Sequence, residues 1–139
     1  MRRPSENPSE SDIEIPTIDR AYIVSEKSLS LIAKHIKSGL TVIRLGMMLN
    51  IPNTVILRYL MSICGKYGLR DATEKEVHQL GKNLLIYWLR MKEHSKHKEK
   101  ASLLTTALVE CSLEGIANIV LENYNNQTEI TDDQFLRYQ

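Results

Sequence analysis

Val42-Ile43-Arg44-Leu45-Gly46-Met47-Met48-Leu49-Asn50-Ile51-Pro52, running on to Ile56, decides the fold. Val42, Leu45, Gly46 and Leu49 recur at helical spacing and form one apolar stripe. Asn50 tolerates the left-handed backbone of a tight turn. Pro52 stands where a following helix begins, a position at which its missing N–H is harmless. The reading is a short apolar helix, a turn and a second helix. About one helix downstream lies Leu84-Leu85-Ile86-Tyr87-Trp88-Leu89, which holds the only Trp of the chain. The two stretches predict a small all-α protein built for protein contact.

The same period extends outward in both directions. Leu29, Ile32, Ala33 and Ile36 make a first stripe, with Ser25 or Ser28 as the expected N-cap and Gly39 as the stop. The helix after Pro52 runs to about Cys64, where Gly65 and Gly68 break it. Thr73-Glu74-Lys75-Glu76 is a capping-box pattern opening the longest helix, with Val77, Leu80, Leu84, Trp88 and Met91 on one face. His94 to Lys98 reads as a charged turn. Leu103, Leu104, Ala107 and Leu108 make a fifth stripe; Ser112 is the expected cap of a sixth helix bearing Leu113, Ile116, Ala117 and Val120. No alternating strand pattern and no internal repeat competes.

This organisation predicts three segments. Residues 1–21 form a disordered or extended N-terminal tail: they hold three of the four prolines, spaced by Ser, Glu and Asn. Ile13, Ile15 and Ile18 would allow it to lie on the domain as an extended strap. Residues 22–124 form the helical domain. Residues 125–139 form a polar, acidic C-terminal tail expected to fray, with Phe135, Leu136 and Tyr138 near its end.

The 139 residues fit one domain, and apolar residues at 42% suffice for a modest core. Aromatics are only 6%, so Leu, Ile, Val and Met must do most of the packing. No apolar run approaches the roughly 18 residues of a membrane span, and Met1-Arg2-Arg3-Pro4 leads into no secretory segment. Cys64 and Cys111 read as free, reduced, packed thiols, which makes the cytoplasm or nucleus the expected address. Charge is uneven: residues 25–121 hold 14 Lys/Arg against 8 Asp/Glu, while the two ends hold 4 against 9. A basic body between acidic ends favours an acidic partner surface, or screening of the body by its own tails.

The residues offer no catalytic, cofactor or metal constellation, so the chain is not expected to be an enzyme. His94 and His97 are close in sequence, but the nearest other ligands are Glu93 and Glu99, and a structural metal site wants four well-spaced ligands. His35 and His78 lie on helix faces, at the core edge or toward water. Glu74 and Glu76 sit in a helix first turn, where the dipole and the cap explain them.

The third helix carries more apolar surface than one face needs. Ile56, Leu60 and Ile63 form one stripe, with Tyr59 beside it. Leu57, Met61 and Cys64 form another, about 100° away. A surface helix normally shows one stripe; two mean either deeper burial or an interface anchored by Leu57 and Met61.

Taken together, these segments resemble a death domain. The register Val42, Leu45-Gly46, Leu49-Asn50-Ile51-Pro52, Ile56 is similar to the second helix and following turn of that family. Leu84 and Trp88-Leu89 resemble the Trp-Leu pair of its fourth helix, and Leu104 to Leu108 with Leu113, Ile116-Ala117 and Leu121 resemble its last two. The resemblance covers about 25–123 in order. Val42, Gly46 and Asn50 depart from the usual Trp, Ala and Gly. The stretch Leu45-Gly46 to Leu60, with Thr54-Val55 and Arg58-Tyr59-Leu60, also looks like a helix-turn-helix, which implies a DNA-binding regulator. Its outer face, Asn53, Thr54, Leu57, Arg58 and Met61, carries one cation and two poor base readers, so nucleic acid is not the expected partner.

The death-domain resemblance implies a six-helix antiparallel bundle that docks onto other death-domain proteins in apoptotic or innate-immune signalling, with no chemistry, no cofactor and no membrane. It implies three contact patches. Arg90, Lys92, Lys96 and Lys98 form a basic one after the fourth helix. Glu110 and Glu114 form an acidic one at the fifth-to-sixth turn. Leu57, Arg58 and Met61 on the third helix form the last.

Overall fold

In the computed structural model, residues 24–65 and 68–138 are described, side chains as far as Leu136. They form six α-helices and no strand: α1 (Glu26–Lys34), α2 (Gly39–Met48), α3 (Asn53–Cys64), α4 (Glu74–Met91), α5 (His97–Glu110) and α6 (Glu114–Asn126). A 3-10 helix, Asp132–Tyr138, follows. The N-terminal tail expected over 1–21 lies outside the described residues.

The helix starts follow the cap chemistry of the sequence. Ser25 and Ser28 form a reciprocal capping box on α1. On α4 the Thr73 hydroxyl accepts the Glu76 N–H at 3.1 Å, while the Glu76 carboxylate accepts the Thr73 N–H at 2.8 Å. The turn after α2 is a Schellman closure: the Ile51 N–H reaches the Gly46 carbonyl, the Asn50 N–H reaches Met47, and Asn50 takes φ +63°.

Two boundaries differ from expectation. Gly39 does not stop α1, which ends at Lys34 with His35 as its cap; Gly39 opens α2 behind Ser38, whose hydroxyl accepts the Thr41 N–H. Ser112 does not cap α6. It takes φ +62° as the left-handed residue closing α5, with the Leu113 N–H bonded to the Leu108 carbonyl and its own N–H to Val109. Leu113 then stands at the start of α6 with no side-chain cap. Ser has the side chain of an N-cap, but here it holds the left-handed place usually taken by Gly or Asn, and the turn it makes closes carbonyls at the end of α5.

The long α4 is the central element, packed against α1, α2 and α3; α5 pairs with α6 and touches α2. Trp88, Leu80, Leu84 and Leu85 of α4 are fully enclosed, among Leu29 and Ile32 of α1, Leu104 and Leu108 of α5, and Ile119 and Val120 of α6. Gly81 lets α4 approach α1: a Cβ there would stand 3.2 Å from the Ala33 Cβ. Met91 and Leu103, expected inward, are exposed. Met91 is the last residue of its helix, and Leu103 stands about 100° from Leu104, which takes the inward place with Ala101 and Ala107.

The C-terminal tail is the largest departure. Residues 125–139 were expected to fray, yet Ile130 and Phe135 are 1% and 2% exposed. Phe135 stacks face to face on the His35 ring at 4.2 Å between centroids. The buried Asn123 amide donates to the Ile119 carbonyl at 2.7 Å and to Gln134 at 2.9 Å, and its oxygen accepts the Thr128 hydroxyl at 2.8 Å. Asp132 bonds the His35 Nε2 at 2.7 Å and the Lys34 Nζ at 3.2 Å. The folded unit therefore runs beyond 124 and includes the 3-10 helix.

Candidate protein-contact surface

α3 lies on the core by Val55, Ile56 and Cys64, with Tyr59, Leu60 and Ile63 half-buried. Its opposite face presents Leu57 at 54% and Met61 at 64% exposure, one turn apart, with Arg58 beside them. Of the second stripe read from the sequence, Cys64 turns inward while Leu57 and Met61 stand in water. α2 adds Leu40, Met47 and Met48, all exposed. Sequence reasoning passed over these three; the signal was an apolar helix with apolar residues beyond a single stripe.

The basic corner is assembled at the α4–α5 turn. Arg90, in the last turn of α4, is exposed and pairs with Glu26 of α1 at 3.5 Å. Lys92 caps the C-terminus of α4 and is half-buried, lining a cleft with Met48, Asn50, Trp88 and Leu103. Lys96 is the N-cap of α5, without a side-chain cap bond, and Lys98 follows inside the helix, both exposed. The turn expected over His94–Lys98 thus yields to helix at His97. The Nδ1 of His97 is buried with no hydrogen-bond partner among the described residues, and burial, helped by the Lys100 ammonium, pushes its pKa down.

The acidic turn lies at the other end of α5. Glu110 is the last residue of that helix and Glu114 the first of α6, both exposed. A helix of 14 residues is about 21 Å long, so the basic corner and the acidic turn are well separated. The helix macrodipole favours anions at the N-terminus and cations at the C-terminus. α5 largely inverts that rule. Lys96 and Lys98 stand at its start, offset only by Glu99, and Glu110 closes it with no basic residue in the last turn.

Cys64 and Cys111 are free and buried; burial pushes both thiols up, Glu76 adding to the shift at Cys64, and Glu110 opposing Arg44 at Cys111. Among the described residues no three His, Cys, Asp or Glu side chains converge as metal ligands, and no helix is long and apolar enough to cross a membrane. The outer face of α3, Asn53, Thr54, Leu57, Arg58 and Met61, is wholly exposed. As a base-reading surface it offers one cation and two apolar side chains, which is poor chemistry for a charged groove. No known protein family, no curated protein and no solved structure matches this chain.

Proposed function

We propose that this chain is an interaction module of death-domain type, a six-helix antiparallel bundle that assembles signalling complexes by docking onto like domains. It performs no chemistry; it concentrates whatever is attached to it, so that weak contacts add up as avidity. Its partners are other death-domain proteins, met in the cytoplasm in apoptotic or innate-immune signalling. The helix order and the spacing of the apolar residues support the reading, with a buried Trp88 on the central helix.

The observation that carries it is the inverted charge of α5. Lys96 and Lys98 cost the helix stability where they stand, as does Glu110 at the other end, so the fold gives no reason for them. A partner does. Opposite charges on two separate faces of one molecule are what a head-to-tail contact between copies requires, because each face meets the other kind and not itself. Leu57, Arg58 and Met61 add a third, apolar face.

The test is light scattering on a size-exclusion column at several protein concentrations and at low and high salt. Assembly through these faces gives a larger species that grows with concentration and shrinks in salt, since screening weakens exposed charge pairs. The double variant Lys96→Glu, Lys98→Glu then loses assembly and keeps cooperative melting, and Leu57→Glu does the same at the third face. A monomer under every condition, in the absence and presence of death-domain partners, overturns the reading.

A further inference from the structure

Lys96, Leu103 and Glu110 stand seven residues apart on α5, a spacing that returns each charge to within about 20° of Leu103 around the helix. All three are exposed. Leu103 is the midpoint, about 10.5 Å along the axis from either charge. Glu99 and Thr106 lie on the same face, one turn to either side of Leu103. This line runs along the edge that α5 shares with α2. Met48 of α2 and Leu103 line one narrow cleft with Asn50, Trp88 and the half-buried Lys92. Met47 is exposed beside Met48, and Arg44, one turn earlier, stands close enough to Cys111 to act on its thiol. The ridge is therefore apolar at its centre, beside Lys92. Lys96 and Glu99 stand at one end, Glu110 and Arg44 at the other. Among the described residues neither Lys96 nor Glu110 is held in an ion pair.

We propose that the occupant of this ridge is a second copy of the chain, docked with the two α5 helices antiparallel about a two-fold axis at Leu103. The proposal rests on the homotypic docking proposed above and gives it a geometry. Reversal about the midpoint brings the Lys96 of each copy to the Glu110 of the other, so one operation makes two opposite-charge contacts. Met48 and Leu103 meet their own equivalents, covering an apolar patch in which the methionine adapts its shape. Glu99 supplies a counter-charge for Arg44. Each helix also receives what its own ends lack. α5 starts without a side-chain cap and ends without a basic residue in its last turn. The other copy's Glu110 brings a carboxylate to the free N–H groups, and its Lys96 brings a cation to the free carbonyls. Lys98 stands about 160° round the helix from Lys96, and Glu114 lies on α6. Both stay outside the pair and remain for the head-to-tail contact.

Disulfide trapping of the full chain tests this, because a residue on a two-fold axis meets its own equivalent. Cys64 and Cys111 are buried, so the unmodified chain sets the background. Under mild oxidation Leu103→Cys is expected to give a covalent dimer, while Val109→Cys, exposed about 120° round α5, is not. Adding Lys96→Glu to Leu103→Cys sets like charges against each other at both ends and is expected to cut the yield about tenfold or more. Adding Glu110→Lys instead has the same effect. A mixture of these two double variants is expected to restore the dimer, since each end again meets its opposite. No dimer from Leu103→Cys, equal yields from the two positions, or a mixture no better than its components overturns the proposal. Light scattering on the unmodified chain separates this from the broader reading. Growth with concentration alongside any of those results removes the two-fold contact and leaves homotypic docking. A monomer at every concentration removes the two-fold contact, whatever the chain does with other domains.

Discussion

On the proposed reading, replacing Lys96 by Asp is expected to raise stability and to weaken assembly. Lys96 is the N-cap of α5, with φ −68° and ψ 151°, the extended backbone that a capping side chain uses. As lysine it offers no acceptor to the free N–H groups of the first turn and sets a cation against the positive end of the dipole. Aspartate supplies the missing acceptor, about 1 kcal/mol at a typical cap. Exchanging an exposed cation for an anion there adds roughly 0.5–1 kcal/mol. The sum is about 1.5–2 kcal/mol, a rise in Tm of about 5–10 °C for a domain near this size. Calorimetry at low and at 1 M salt divides the gain, because screening removes the dipole part and spares the hydrogen bond. Light scattering on the same samples is expected to show weaker assembly. A lower Tm refutes the charge argument for α5. A higher Tm with undiminished assembly refutes the assignment of Lys96 to a contact face.

Other substitutions test the packing that holds these faces. Gly46→Ala is expected to stabilise by about 0.5–1 kcal/mol, since the new methyl meets only the ends of Ile56 and Leu84 at 3.4 Å and the helix gains propensity. Gly81→Ala, 3.2 Å from the Ala33 Cβ and close to its backbone, is expected to destabilise; urea midpoints in the reverse order refute this account of the core. Phe135→Ala is expected to cost about 3–5 kcal/mol in urea unfolding, with Leu136→Ala near neutral as the exposed control; a cost below about 1 kcal/mol detaches the 3-10 helix from the fold. The hydrogen bonds from His35 and then Lys34 hold the Asp132 carboxyl below the ordinary range. A depressed carboxylate pKa contributes stability above the unfolded value, lost as pH falls through the folded one, so Asp132→Asn is expected to be less stable near neutrality and to converge with wild type in acid. Parallel pH–stability curves would show that Asp132 adds nothing.

What was legible in the sequence was the helical period and its punctuation. Thr73 with Glu76, Asn50 before Pro52, and the Leu84–Trp88 spacing each carry a local physical reason, and each stands where that reason puts it. What was not legible came from contacts distant in the chain. Nothing near Phe135 announces burial; its place is made by His35, 100 positions earlier, and by the Asn123 amide that holds Gln134. Ser112 misled for a local reason: its hydroxyl is that of an N-cap, whereas the left-handed place it takes is one usually held by Gly or Asn. On α3, spacing alone allowed the Leu57–Met61 face to be core or surface; the choice fell to the geometry of α4, which takes Val55 and Ile56 and leaves the other side in water.

The docked C-terminus also alters what the charge pattern means. Counted along the sequence, the body between residues 25 and 121 is strongly basic and its ends acidic. In space, Glu129 and Asp132 lie on Lys27 and Lys34, so part of that asymmetry is satisfied within the molecule. Such exposed pairs add little stability, but they remove cations from the surface a partner meets. The basicity that remains includes the lysines of α4 beside the α1 seam, the exposed Arg44, Arg58 and Arg70, and the corner of Arg90, Lys92, Lys96 and Lys98. Arg90 is shared with Glu26 and the Lys92 stem is partly covered, which leaves Lys96 and Lys98 as the freely presented cations of the corner. They are also the two that the dipole of α5 opposes. To the carboxylates of an acidic surface, the start of α5 offers two lysines and the helix terminus together, which is why the proposed contact is placed there.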